Sequence, residues 1–437
     1  MPNANHRMMT DATGQDLVTA LHGVENAIRK KDVGGVVYAF HIDGAESDPD
    51  ARVTYLKDAL GLTPAKMNFS TGKFEWGSWE DAFFIPRPCM LKYDGTVDYY
   101  LDTENYGLKE DGTASDVADL SYGGNAMMEW TGPIWMKVVP DPEDTTSGTI
   151  YISDHKADDG FTCWPFFDAN NHLIDKIYTP IYTGTIDSNG KMRSISGQAP
   201  TTSTTVDQEV TAATANNAGT DVEWYTEVLA DISMINALLI LICKSTDTQA
   251  KFGEGHTTGA SSAAGLTASG TLDTKGLFWG TSANTTSAMK IFGMENWWGN
   301  HWRRYAGHIL DAGVQKIKLT HGKVDGTTVI GYNKTASGYT TVQNATPTGT
   351  SGGYIKTARW TEKGFFPFGV DGSDGHYYSD GMWFANTSQR YARRGGTAAS
   401  NARLYGAFCV NLNGGASHAS WDIGAALSCK PVHREGE

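Results

Sequence analysis

The chain has 437 residues, enough for two or three domains, of which 40% are hydrophobic, 11% aromatic and 19% charged. A net charge of −14 and a pI near 5.3 argue against nucleic acid or an anionic membrane surface as partner, and leave neutral or cationic ligands open. Fifty glycines point to short strands joined by many turns, and 13 Trp with 19 Tyr exceed what a core alone needs.

Residues 1–34 contain no apolar run of the kind that drives secretion. Leu17, Leu21, Val24 and Ile28 recur at three- and four-residue steps and predict a short helix, followed by Arg29-Lys30-Lys31 and stopped by Gly34-Gly35. Such a stripe either seeds a bundle between subunits or lies on its own domain. Residues 35–158 are expected to form a β-rich domain for attachment or oligomerisation. In it VVYAFHI, 36–42, reads as a strand, and Asp48-Pro49 predicts the start of a helix over about 50–60. Residues 69–152 are aromatic and strand-like, with Pro86 and Pro88 placing the first run on an edge or in a turn. The acidic, turn-rich residues 140–148 read as a domain boundary.

Beyond it, GTIYISD and DKIYTPIYTGTID predict two further strands. Residues 200–221, rich in Thr, Ala and Asn, predict a long surface loop. Residues 223–243 predict a helix whose ALLILIC run, apolar all round, implies burial on most sides. Its apolar stretch is interrupted by Asp231, Ser233 and Asn236 and is too short to span a bilayer, so no membrane insertion is expected. Residues 256–270 read as a loop. The five cysteines form no C-x-x-C pair, which suits a chain folded in a reducing cytoplasm.

Residues 291–309 crowd Trp297, Trp298, Trp302 and Tyr305 around Asn296, Gly299 and Asn300. They suit either a stacking platform for sugars or, more commonly, a core corner whose indole N–H groups bond backbone carbonyls. Near the C-terminus two segments alternate. In GAFCVNL, Phe408, Val410 and Leu412 share one face and Cys409, Asn411 and Asn413 the other. In WDIGAAL, Trp421, Ile423, Ala425 and Leu427 oppose Asp422, Gly424 and Ala426. One face is expected in the core and the other exposed. Solvated sheet faces ordinarily carry Lys, Glu and Thr. This one carries Asn, Ser, His and Asp beside Tyr and Trp, the chemistry of a paratope; an ordinary Gly/Asn-rich surface is the alternative.

Catalytic motifs are scarce: there is no H-E-x-x-H, Walker loop or G-x-G-x-x-G. GTSGG around Ser351 matches G-x-S-x-G, but polar TTVQNATPT precedes it where a nucleophile elbow needs a buried strand. The carboxylates at 141–144 and 155–159 sit in turn-like sequence, and a glycosidase pair cannot be read from spacing. His301 and His308 lack identifiable further ligands, so no metal and no cofactor is assigned.

The spacing of SDGMWFAN, RYARRGG, YGAFCVNLNGGAS and WDIGAALSCKP resembles the variable region of diversity-generating retroelement variable proteins of phage tails. ENWWGNHW resembles an element those proteins share with formylglycine-generating enzymes. The resemblance covers about residues 160–431 and implies an α+β chain with a C-type-lectin-like domain over residues 159–437. Its variable ligand-binding region would span about 369–431. The implied variable face comprises Ser379, Gly381, Trp383, Asn386, Arg393, Asn401, Tyr405, Cys409, Asn411, His418, Ser420 and Asp422. The implied fixed scaffold comprises Gly395, Gly396, Phe408, Leu412, Trp421, Ile423 and Gly424. On this resemblance Cys409 is a chance occupant of a variable position and is not bonded to Cys429.

DARVTYLKDALGLTPAKM, DAFFIPRPCMLKYDGTVDYYL and KSTDTQAKFG are similar to phrases in gut phage tail-associated structural proteins. The chain departs from the formylglycine-generating enzymes in lacking their close cysteine pair, since Cys409 and Cys429 are twenty residues apart, and it has no E-P-N-type calcium motif. The resemblance therefore implies a virion protein of the phage tail, made in the host cytoplasm. It would be non-enzymatic, free of cofactor and metal, and would recognise a bacterial cell-surface receptor, protein or glycan, beside other tail proteins. A homo-oligomer, by analogy a trimer, is expected. A carbohydrate-active tail enzyme and a purely structural tail protein are the alternatives.

Overall fold

Val37–Ile42 forms the strand expected over 36–42, and it lies inside a four-stranded antiparallel sheet. The order is Val53–Lys57, Val37–Ile42, Gly148–Ser153, Trp135–Pro140. The computed structural model describes residues 35–217, 222–282, 286–320, 331–399 and 403–432. The helix expected within residues 1–34, and Asn401, lie outside them. The described residues are mostly β-sheet with few helices, 34% strand and 9% helix. None of the described helices is long and apolar enough to cross a membrane.

The helix expected over 50–60 is absent. Asp48 does accept from the amides of Asp50 and Ala51, at 2.8 and 3.1 Å, but these bonds close a turn and not a helix. From Val53 the chain pairs with Val37–Ile42, because Val53 and Tyr55 alternate into the core and a period of two suits a half-buried strand. The acidic residues 140–148 form the turn of a hairpin whose arms pair from Trp135↔Ser153 to Pro140↔Gly148, so they separate nothing.

A six-stranded sheet runs Val222–Thr226, Leu427–Pro431, Lys176–Pro180, Gly124–Thr131, Arg87–Lys92, Val97–Tyr100. Both it and the main hydrophobic core, which extends from Val36 to Leu412, cross residue 158, where the expected lectin-like domain was to begin. Arg87–Lys92 is an interior strand and not the edge that Pro88 suggests. Pairing with Val97–Tyr100 starts only at Cys89, and Pro88 contributes its carbonyl to the amide of Leu101, 2.8 Å, so no ladder donor is lost.

The supposed surface loop over 200–221 contains helix α1, Val206–Thr214. Its capping box was legible: Thr205 accepts from the amide of Gln208 while the Gln208 side chain accepts from the amide of Thr205. The helix expected over 223–243 is shorter. Val222–Thr226, a VEWYT run with β-branched and aromatic residues, pairs with the C-terminal strand, and helix α2 covers Leu229–Cys243. As its all-round apolar sequence requires, α2 is buried except at Ser233 and Asn236. The five-residue helix α3, Thr248–Phe252, follows.

The C-terminal sheet is ordered Thr340–Thr341, Val314–Ile317, Trp302–Asp311, Arg390–Arg394, Val410–Leu412, Gly381–Phe384, Gly352–Tyr354. Ile423–Ala425 pairs in parallel with the start of Trp302–Asp311. Val410–Leu412 is therefore an interior strand, and this placement governs the candidate site.

Candidate functional site

Asn296, Gly299 and Asn300 all have positive φ, bending the chain between a short hairpin and the strand Trp302–Asp311. At this bend Trp297 donates Nε1–H to Asn236 Oδ1, 3.1 Å, and Trp298 to the carbonyl of Gly253, 3.0 Å. Both indoles are buried, as a core corner requires, but only Trp298 bonds the backbone carbonyl expected of it. Trp302 differs. Its ring packs edge-on against Trp383 and Tyr405, both at 5.5 Å between centroids, and these two rings lie 5.8 Å apart.

Beneath the aromatic group is a layer of arginines. Arg394 pairs with Glu227 at 2.5 Å and lies 3.6 Å from the centre of the Trp297 ring, and Arg303 approaches the same carboxylate at 3.4 Å. Arg304 pairs with Glu209, which also accepts from Thr204 at 2.7 Å. Arg393 donates to Asn411 Oδ1, 2.8 Å, and Asn413 Oδ1, 2.5 Å, while its guanidinium stands 5.9 Å from the Trp302 ring. Burial holds the Arg393 guanidinium below its ordinary pKa, at about 10, with Arg304 nearby acting in the same direction.

Two C-terminal segments are held almost entirely by their main chains. In the first, four consecutive amides meet side-chain acceptors from outside the segment. Tyr405 N–H donates to Gln249 Oε1, 3.2 Å; Gly406 to Asp380 Oδ1, 2.7 Å; Ala407 to Thr248 Oγ1, 3.0 Å; and Phe408 to Asp380 Oδ2, 2.7 Å. Asn236 donates to the carbonyl of Ala407, 2.7 Å, and the amide of Gly381 to that of Leu404, 2.7 Å. The Asp380 carboxylate thus fills a cradle of backbone N–H groups. Burial pushes its pKa well up, opposed by those donors. Gly406 must be glycine, since a Cβ there would lie 2.3 Å from Asp380 Oδ1.

In the second segment alternate carbonyls are held. Gly414 accepts from the amide of Tyr391, 2.9 Å; Ala416 from Val206, 3.0 Å; His418 from the Arg304 guanidinium; Ser420 from Ser203, 2.9 Å; and Asp422 from Trp302, 2.8 Å. The side chains of Asn413, Ser417, His418 and Ala419 are exposed along this run.

The variable-face residues expected from sequence divide accordingly. Trp383, Arg393, Tyr405, Cys409, Asn411, His418, Ser420 and Asp422 gather around Trp302 through ring packing, hydrogen bonds or charge, and Ser420 donates to Asp422 at 2.7 Å. Their expected exposure is corrected for several. Arg393, Tyr405, Cys409 and Asn411 are each at most 6% exposed, because Tyr405 and Cys409 pack with Trp302 and Ile423 while Arg393 lies against Trp302 and bonds Asn411. Gly424 and Ala426, placed on the outward face, are also buried, and Trp421 on the opposite face is only half-buried.

Trp383, Ser420 and Asp422 are half-buried and His418 is exposed. Ser379 and Gly381 are buried; a Cβ on Gly381 would meet the Trp383 ring at 2.5 Å. Asn386 is exposed but turns to the carbonyl of Pro347, 3.1 Å. Among the scaffold residues, Gly396 has φ +78°, and a Cβ there would lie 2.1 Å from the Tyr405 ring, so glycine is what lets that ring sit down. The sequence reading missed Asp380, whose partners are 26 and 28 residues away, and no local pattern announces them.

All five cysteines are free and buried. Cys409 belongs to the Trp302–Tyr405–Ile423 cluster and Cys429 to the six-stranded sheet. Among the described residues no group of three His, Cys, Asp or Glu is placed to hold a metal ion. His308 bonds Tyr305 and Gln315 at 3.0 and 2.9 Å, and His301 is buried, with neither ring nitrogen hydrogen-bonded among the described residues. Ser351 is exposed and leads into the short strand Gly352–Tyr354, without the helix a nucleophile elbow needs. No family model and no curated protein matches the chain.

Proposed function

We propose that the chain is a receptor-binding protein of a phage tail, which recognises a bacterial surface ligand on a C-type-lectin-like scaffold without catalysing a reaction. The observation that carries this reading is the main-chain anchoring of residues 404–408 and 414–422. Because these bonds use backbone groups of the segments, and side chains only of the surrounding frame, the exposed positions of the segments can change side chain without breaking them. A surface meant to change its side chains while keeping its shape needs such an arrangement.

The recognition face would be Trp383, His418, Ser420 and Asp422, with exposed Asn413 and Ser417 beside them. Arg393, Tyr405, Cys409 and Asn411 would support it from below. An aromatic anchor ringed by hydrogen-bonding groups is the composition of binding hot spots. The low affinity of one small face would be raised by several copies on one particle. The test is adsorption of particles carrying Trp383→Ala, His418→Ala or Asp422→Ala to host cells. At least a tenfold loss is expected for Trp383→Ala or Asp422→Ala. Unchanged adsorption by all three, with the protein present and folded, would overturn the reading.

A further inference from the structure

A recess is lined in part by residues 407–410. We propose that it is a binding site for a neutral, mainly apolar small molecule of about one ring in size. The recess has a volume of about 110 Å³ and is bounded by α2, the strands Trp135–Pro140 and Gly148–Ser153, residues 362–367 at the turn and second strand of a hairpin, and residues 407–410. Its deep walls include Leu229, Ile232, Phe366, Phe408 and Val410, each less than 8% exposed. Met136, Ser233 and Lys363, half-buried, form its mouth. The two positions where the otherwise buried α2 shows exposure, Ser233 and Asn236, both line it.

The chemistry of the occupant follows from the polar groups in those walls. Tyr305 and His308 bond each other at 3.0 Å, and the far nitrogen of His308 bonds Gln315 at 2.9 Å. Asn236 is used at both ends, by the carbonyl of Ala407 and the indole of Trp297. Arg394, which also lines the recess, spends its guanidinium on Glu227 and the carbonyl of Trp297, and Glu362 and Lys363 stand at the solvent side. The buried polar groups are thus turned mainly to partners in the wall, a water there finds few of its own, and mainly apolar cavities take up small hydrocarbons. Burial holds His308 well below its usual pKa, at about 4, so no charge from it faces a ligand near neutral pH. A charged or strongly polar ligand would lose its hydration without replacement.

The test uses the full chain and toluene, followed by calorimetry, with dissolved xenon as a second probe read by its NMR shift. Saturable one-to-one binding of toluene with a dissociation constant of about 1 mM or lower is expected, with displacement of xenon by toluene. Ser233→Leu and Met136→Trp, on two different elements of the mouth, are each expected to weaken toluene binding at least tenfold. Linear, unsaturable uptake by the wild-type chain would overturn the proposal. So would saturable binding that neither folded variant weakens. Of the residues named for recognition only Cys409 lines the recess, and neither variant changes it, so the recognition reading stands or falls separately.

Discussion

Asp380→Ala is the sharpest perturbation of the anchored segment, because it leaves the side chains of residues 404–408 untouched. It removes the acceptor of two buried amides, those of Gly406 and Phe408, each now at 2.7 Å from a carboxylate oxygen. A buried donor left without a partner costs about 1–3 kcal/mol, so two cost about 2–6 kcal/mol. Part of this is offset, since burial already disfavours the Asp380 carboxylate, as its raised pKa records. A net local cost of about 2–4 kcal/mol remains, which accelerates amide exchange through local opening roughly 30- to 1000-fold at 1.4 kcal/mol per decade.

Hydrogen–deuterium exchange read on a peptide covering 404–409 measures it directly. Thr248→Ala removes the single acceptor of Ala407, 3.0 Å, and is expected to act on the same peptide more weakly. Asp380→Asn should not rescue it, because one amide would then face an NH₂ donor. Exchange in this peptide within threefold of wild type, with protection elsewhere unchanged, would refute the claim that frame side chains set the segment's shape.

Three further outcomes follow from the same network. Glu227→Gln leaves Arg303 and Arg394 buried without their counter-charge and should destabilise by about 3–5 kcal/mol; a melting temperature within 1 °C of wild type would contradict the pairing. Gly396→Ala forces a methyl into the Tyr405 ring at positive φ and should disturb the near-ultraviolet circular dichroism of the Trp302–Trp383–Tyr405 group; an unchanged spectrum and melting point would refute the close approach. His301 and His308 are held below the ordinary histidine range by burial, at about 3 and about 4, so both fold in the neutral form. Their contribution to stability is complete above about pH 6.5 and is lost as pH falls toward 4, because the unfolded chain takes up the protons first. His308→Gln should flatten part of that slope in melting curves taken between pH 7 and 4, and an identical slope would count against it.

By itself the sequence determined the features whose cause is local. The short apolar run rich in β-branched and aromatic residues defined Val37–Ile42, the all-round apolar run defined the burial of α2, and the Asn and Gly positions marked the bend at Trp297 and Trp298. The Thr205–Gln208 capping box was equally local, and composition alone obscured it. Tertiary structure decided the rest. The period-two pattern of residues 408–413 separates two faces, but whether the second face meets solvent depends on what packs over it. Trp302, Tyr405 and Ile423 pack around Cys409, and the Arg393 guanidinium covers Asn411, so both went inside. The same holds for Val53–Lys57, where pairing with a distant strand overrode a good helix cap, because a cap is worth about 1 kcal/mol and burial of Val53 and Tyr55 is worth more. The Asp380 cradle joins residues that only the packing of the chain brings together, and a charge buried without local partners has no sequence signature.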